Sequence, residues 1–194
     1  VLSASLNDDK IAWYEQEGSP TVVFQPQTKE ELQTAVDMWV DDNASALTTY
    51  GTINTWDVSL ITDMSNLFES KASFNSDISD WDVSNSTNMH RMFHLATNFN
   101  GDISYWDVSN VTNMKGMFRN ANSFAGDLSN WDVSNVTSMA LIFYEAQGFN
   151  GDISSWDVSN VTLMNGMFSG ATNFNQDISS WDVSNVTNMQ QMFK

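Results

Sequence analysis

The stretch that decides the fold runs from Trp106 to Asn130 and reads W-D-V-S-N-V-T-N-M-K-G-M-F-R-N-A-N-S-F-A-G-D-L-S-N. Six near-copies of it occur at a spacing of 25 residues, and their tryptophans are Trp56, Trp81, Trp106, Trp131, Trp156 and Trp181. Self-similarity at a period of about 20 to 50 residues is typical of one supersecondary unit stacked on itself. The sequence therefore predicts an N-terminal capping region, 1–55, followed by an array of five full repeats and one partial repeat, 56–194.

Positions in the repeat are numbered here from its tryptophan, which is position 1. Apolar residues follow at positions 9, 12, 13 and 16, as in Met114, Met117, Phe118 and Ala121. This spacing predicts one buried face of a short helix. The threonine at position 7 precedes that helix, where a hydroxyl can cap the first turn. The equivalent threonines are Thr62, Thr87, Thr112, Thr137, Thr162 and Thr187.

The residues around the tryptophan alternate in polarity, which predicts a short strand. In the fifth copy Trp156 and Val158 are expected to point inward, while Asp157 and Ser159 point outward. Strands of successive copies should pair in parallel. The predicted fold class is therefore α/β, a solenoid of 25-residue strand, turn and short-helix coils with a parallel sheet and an N-terminal helical cap. The spacing I-x-x-W-x-V-x-x-V resembles the strand and turn of leucine-rich repeats, so the solenoid is expected to be leucine-rich-repeat-like. Inward ladders of Ile or Leu at position 23 and of Phe at positions 13 and 19 complete the expected core.

The composition narrows the classes of partner. The chain has 24 acidic and 7 basic residues, a formal net charge of -17, which argues against nucleic acid and anionic membranes. Cations, basic proteins and neutral sugars remain as possible partners.

No cysteine is present, so thiolate chemistry and disulfides are excluded. No long apolar run predicts a membrane span, and the ends at Val1 and Lys194 are expected to be processed boundaries of a soluble chain.

A helix over about 29–40 is predicted ahead of the repeats. Thr28 and Glu31 fit a capping box. The apolar face of this helix comprises Leu32, Ala35, Val36, Trp39 and Val40. We expect the helix to cover the first coil, because an open end would expose core and unpaired backbone. Residues 1–27, which include Trp13, Tyr14, Val22, Val23 and Phe24, could add a strand or form a pairing arm. At the other end, near Phe193, either more repeats or self-association would cover the last copy.

Two rows of aspartates recur through the array. The row at position 2 comprises Asp57, Asp82, Asp107, Asp132, Asp157 and Asp182, and the row at position 22 comprises Asp77, Asp102, Asp127, Asp152 and Asp177. One interpretation is structural, with each carboxylate capping a turn. The other is that the position 2 row binds Ca²⁺ or a cationic partner. The candidate ligand-binding surface, called the Asp–Ser face below, comprises Asp82, Asp107, Asp132, Asp157 and Asp182 with Ser84, Ser109, Ser134 and Ser159. No cofactor other than calcium is indicated.

Asparagine at position 5 creates glycosylation sequons at Asn85, Asn110, Asn135, Asn160 and Asn185. Their regularity favours a structural role, so Asn43, which lies outside the array, is the better glycosylation candidate. His90 and His94 have a spacing that can hold a metal on a helix, but their positions vary between copies, which favours solvated surface. No catalytic motif is present. We therefore expect no enzymatic activity.

The repeat W-D-V-S-N-V-T-N-M-x-x-M-F-x-x-A-x-x-F-N-x-D-I-S resembles the BspA-like repeats of surface proteins, found in bacteria, protists, mycoplasma lipoproteins and marine microalgae. The resemblance covers Trp56 to Phe193, and the first copy departs most, with Leu60 at position 5 and Lys71 at position 16. It implies an extracellular or cell-surface protein that acts in adhesion or ligand recognition. The expected partners are a protein or a glycan on another cell or in the matrix. The alternative is a structural subunit that assembles end to end into a filament or coat.

Overall fold

The computed structural model describes residues 2–4, 13–15 and 23–194. Strands β1 (Leu2–Ala4) and β2 (Trp13–Glu15) pair antiparallel, with Ser3 opposite Tyr14. Helices α1 (Lys29–Asp41) and α2 (Asn43–Tyr50) follow, and a 3-10 turn spans Ile53–Thr55. The segment that includes Trp13 and Tyr14 therefore contributes strand β2. Val22 lies outside the described residues. The division of the chain at 55/56 stays a prediction.

Helix α1 begins where the capping box places it. The Thr28 hydroxyl oxygen accepts a hydrogen bond from the backbone amide of Glu31 at 3.2 Å, and the Glu31 carboxylate accepts one from the Gln27 amide at 2.7 Å. Both bonds satisfy amides that the first helical turn or the preceding residue would leave unpaired. The buried side chains of α1 are Leu32, Ala35 and Val36, which join the same hydrophobic core as the repeats.

Polar side chains of α1 cover the first coil of the array. The Gln33 side-chain amide donates to the Leu67 carbonyl at 3.0 Å, and the Lys29 ammonium lies 3.0 Å from the Asp63 carboxylate. The Lys29 ammonium also donates to the Ser65 hydroxyl. The Gln33 side chain thus supplies to the position 12 carbonyl of the first coil the hydrogen bond that later copies receive from the preceding coil, as from the Phe68 amide to Met92 O.

The prediction of a parallel sheet and a leucine-rich-repeat solenoid is wrong. Within the described residues the only sheet is the two-stranded pair of β1 and β2, and successive repeats share single parallel bridges at position 8, as between Asn88 and Asn113. Backbone amides at positions 9, 11, 13 and 15 donate to carbonyls one position earlier in the next copy. The Met114 amide, for example, donates to Ser138 O at 3.1 Å. Copies are therefore stacked coils joined by axial hydrogen bonds rather than by strands.

The prediction of a short helix in each repeat is also wrong, and the backbone dihedral angles give the reason. Positions 11 and 15 have positive φ in every copy that contains them, for example Arg91 at 54° and Leu95 at 61°. A left-handed residue every fourth position breaks a right-handed helix. Between these residues the chain forms turns in which an amide donates three residues back, as from Met117 to Met114 O at 3.1 Å. The apolar positions are still buried, because the turns face the same core.

The position 7 threonines consequently cap no helix. The Thr112 hydroxyl donates to the Thr87 carbonyl of the preceding coil at 3.2 Å, and the Thr112 amide donates to the same oxygen at 2.9 Å. The same pair of bonds recurs from Thr137 to Thr112 and from Thr162 to Thr137. Threonine at this position therefore ties coil to coil.

Aromatic side chains fill the core in register. The tryptophans are buried, and each indole from Trp81 onward donates through Nε1 to the position 23 carbonyl of a preceding coil, as from Trp106 to Ile78 at 3.2 Å. Phenylalanines at positions 13 and 19 stack on their equivalents, with ring centroids of Phe93 and Phe118 5.6 Å apart. The inward placement of the tryptophans, and of the phenylalanines in the copies before the last, is confirmed, whereas Phe193 in the last copy is 60% exposed. The residues between these aromatic positions form the outer faces.

Candidate binding face

Each aspartate at position 2 closes a local turn with the serine two residues later. Asp107 Oδ1 accepts a hydrogen bond from the Ser109 amide at 3.0 Å, and Asp132 Oδ1 accepts one from the Ser134 amide at 3.0 Å. In the second copy the Ser84 hydroxyl adds a bond of 2.6 Å to Asp82 Oδ1. The same turn recurs at Asp157 with Ser159 and at Asp182 with Ser184. An aspartate side chain that bonds the amide two residues on imitates a backbone turn, so this row has a structural role.

The turns leave the carboxylates on the surface. Asp82, Asp107, Asp132, Asp157 and Asp182 are all exposed, and their serines through Ser159 are half-buried. Asp57 differs, because the Gln25 side-chain amide donates to its Oδ2 at 2.6 Å. Among the described residues no hydrogen bond reaches Oδ2 of Asp107 or Asp132. The structure thus brings the predicted Asp–Ser face together on one side of the stack, with carboxylate oxygens available to a ligand.

The position 22 aspartates form a second row of similar turns. Asp102 Oδ1 accepts from the Ser104 amide at 3.0 Å and from its hydroxyl at 2.7 Å. Asp127 and Asp152 bond the amides of Ser129 and Ser154 in the same way. The structure supports the capping interpretation of this row.

Turn hydrogen bonds favour the ionised form of Asp107, Asp157 and Asp182. The hydroxyl and then the amide of Ser109 lower the pKa of Asp107, and the same two groups of Ser159 lower the pKa of Asp157. The pKa of Asp182 is also lowered, chiefly by the Ser184 amide, although the neighbouring charge of Asp157 opposes the shift. Hydrogen bonds to the charged form favour ionisation, and at Asp182 they outweigh the repulsion from Asp157.

The position 5 asparagines are engaged in coil-to-coil bonds. The Asn110 side-chain amide donates to the Ser84 carbonyl at 2.8 Å, and Asn135 and Asn160 repeat this bond to the coils before them. Their Nδ2 atom, where a glycan would attach, is therefore already in use. Asn43 is exposed at the start of α2, and its Nδ2 makes one long contact of 3.5 Å to the Trp39 carbonyl. The geometry is consistent with Asn43 as the better of the glycosylation candidates.

The two histidines lie in turns rather than on a helix. His94 Nδ1 is 2.8 Å from a Glu69 carboxylate oxygen, which also lies 3.6 Å from Arg91. Burial, together with the neighbouring cations Arg91 and Lys115, lowers the pKa of His90. Over the described residues no group of three or more His, Cys, Asp or Glu side chains is arranged to hold a metal ion. Calcium on the Asp–Ser face, which would need about six to eight oxygen ligands, thus has no preformed carboxylate cluster in that part of the chain.

Sequence reasoning missed one residue on this face. Tyr105, at the variable position 25, is 87% exposed and borders a groove of about 260 Å³ that Ser104, Asp107, Asn130 and Asp132 also line. Position 25 carries Asp80, Asn130, Ser155 and Ser180 in other copies. A single aromatic at an otherwise polar, variable position was the signal that could have identified it.

The geometry thus defines a protein of stacked 25-residue coils with repeated acidic turns on an outer face. The family model described as Mycoplasma protein of unknown function, DUF285, matches residues 34–146 and 125–194, and the chain belongs to this family. The two matches overlap and together span part of α1 and the whole array. Searches of curated proteins and of solved structures found no match.

Among the described residues, no helix has both the length and the apolar composition that a membrane span requires.

Proposed function

We propose that the chain is a non-enzymatic recognition module of an extracellular or cell-surface repeat protein of the BspA-like type, and that its Asp–Ser face binds a protein or glycan. The observation that supports this most directly is the exposed row of turn-closing aspartates. Each carboxylate holds its own turn through Oδ1 and points into solvent, so the charges lie on a rigid frame. A preorganised frame lowers the entropy cost of binding.

Periodicity favours an extended or repetitive ligand. The sequence repeat places one aspartate of the face in each of the last five coils. A polymer with a regular repeat can therefore contact several coils at once. Simultaneous contacts raise the overall affinity well above that of one coil.

The test is a glycan and protein binding screen, with and without calcium, that compares the chain with a triple variant. Asp107→Asn, Asp132→Asn and Asp157→Asn together remove three charges but keep an Oδ1 that can accept the turn hydrogen bonds. A matched control carries the same change at Asp102, Asp127 and Asp152 in the position 22 row. We expect the first variant to lose ligand binding and the control to retain it, with both folded. Equal binding by the first variant and the wild type would reject the face.

End-to-end assembly into a filament or coat is a second candidate. At the last coil Phe193 is 60% exposed although its ring stacks on Phe168 at 5.4 Å, and Val183 and Met189 of the same coil are also exposed. A further coil of the same chain would cover these side chains equally well. Light scattering at increasing concentration tests assembly. Growth beyond a dimer is expected if copies join end to end, and a monomer throughout would exclude it.

A further inference from the structure

Tyr105 is the most exposed large apolar side chain among the described residues. It lines the same groove as Asp107 and Asp132, which are the position 2 aspartates of the next two copies. An exposed tyrosine ring is free to pack against a ligand, with the hydroxyl remaining in water. The ring and the two carboxylates together offer an aromatic surface flanked by negative charge.

The chemistry of this groove favours a cation. The face of an aromatic ring attracts a guanidinium or ammonium group, and an ionised carboxylate pairs with the same groups. The chain already contains one such contact, since the Arg119 guanidinium lies 5.0 Å from the ring centroid of Tyr144. The net charge of -17 would also draw positively charged ligands towards the surface. A neutral sugar could stack on the ring but would leave both charges without a partner.

We propose that the Tyr105 groove binds an arginine or lysine side chain of a basic protein segment, with the charged group over the ring and between the carboxylates of Asp107 and Asp132. This inference rests on the proposed function of the Asp–Ser face and specifies the chemistry of its partner. It also distinguishes one coil from the others: the row supplies carboxylates throughout, and the aromatic ring marks where binding is strongest.

Amide NMR of the ¹⁵N-labelled chain titrated with acetylated hexa-arginine amide tests the proposal. We expect the largest shift changes at residues 104–108 and 130–134 and smaller ones at 154–159, where the carboxylates recur without the ring. Binding should weaken as NaCl is raised from low to high concentration, because salt screens exposed charges. Maltohexaose serves as the neutral probe and should shift these amides less.

Two substitutions exchange the residues that the repeat itself places at position 25. Tyr105→Ser introduces the serine of later coils and should weaken hexa-arginine binding about 2- to 5-fold, the range of an exposed cation and ring contact. Ser155→Tyr places a ring between Asp157 and Asp182 and should produce a second set of shifts around 154–158. Thermal melting of both variants checks that the fold is retained.

The outcomes separate this inference from the function on which it rests. Shifts spread evenly over all coils and unaffected by Tyr105→Ser would overturn the groove but leave the Asp–Ser face standing. Shifts at Tyr105 with maltohexaose and none with hexa-arginine would replace the cationic partner by a sugar. No response to hexa-arginine would overturn the inference, while the triple aspartate variant in the ligand screen would still decide the proposed function separately.

Discussion

Truncation of a central tryptophan tests whether the stacked aromatic core holds the coils together. Trp106 is 3% exposed, and a buried indole removes about 200 Å² from water, which at about 25 cal/mol per Å² corresponds to about 5 kcal/mol. The lost Nε1 bond adds little, because Ile78 O still accepts from the Trp81 amide at 3.2 Å. Trp106→Ala should therefore lower the free energy of unfolding by about 4 kcal/mol, within the range for large core truncations.

Urea denaturation followed by the fluorescence of the remaining tryptophans measures this cost. Trp181→Ala is the matched control, since Trp181 makes the same Nε1 bond, to Ile153 O at 3.1 Å, but belongs to the last coil, where its neighbour Val183 is exposed. A site with fewer packed neighbours can collapse more easily, so we expect about 2 kcal/mol there. A urea midpoint for Trp106→Ala equal to that of the wild type would refute this account of the core. An equal loss of unfolding free energy in both variants would refute it as well.

Two further predictions concern the turns. Leu95 has a φ of 61° and is 38% exposed, so Leu95→Asn should relieve left-handed strain and raise the melting temperature by about 2 °C. The control Leu60→Asn, at an exposed position without positive φ, should leave the melting temperature unchanged. A lower melting temperature for Leu95→Asn would contradict this prediction. The pKa of Asp107 is lowered by Ser109, so the stability from this bond is present above about pH 4 and is lost as the pH falls through the lowered value. Asp107→Asn should thus lose less stability than the wild type between pH 5 and pH 3 in thermal melts, and identical pH profiles would argue against the turn bond.

The amino-acid pattern predicted which side chains are buried better than it predicted the backbone that buries them. Met114, Met117 and Phe118 recur with the spacing of a helix face and are buried, yet the backbone forms successive turns. Three or four residues per turn place the same positions inward whether the turns are helical or not. The hydrophobic pattern therefore could not separate these two backbones.

The left-handed positions explain why the error was hard to avoid. Gly116 and Gly166 occupy position 11 in two copies, but Arg91 and Leu141 adopt the same positive φ in others. Residues other than glycine and asparagine rarely adopt this conformation, so their presence favoured a helix. The axial hydrogen bonds, which form only once copies stack, hold these residues in place. Such bonds join residues 24 or more apart, and a reading of one repeat by itself cannot foresee them.

The structural and binding interpretations of the position 2 aspartates need not exclude each other. Asp132 uses Oδ1 to accept the Ser134 amide at 3.0 Å, a role that an asparagine can also fill. Repulsion between neighbouring carboxylates is a cost that turn capping alone does not require, since asparagine would cap without charge. Aspartate occupies position 2 in all six copies of this chain. The negative charge therefore recurs in every copy, although the turn itself does not require a charge. A charged ligand on the face would offset that repulsion, and this is why the aspartate to asparagine exchange, which separates charge from turn geometry, is the decisive substitution.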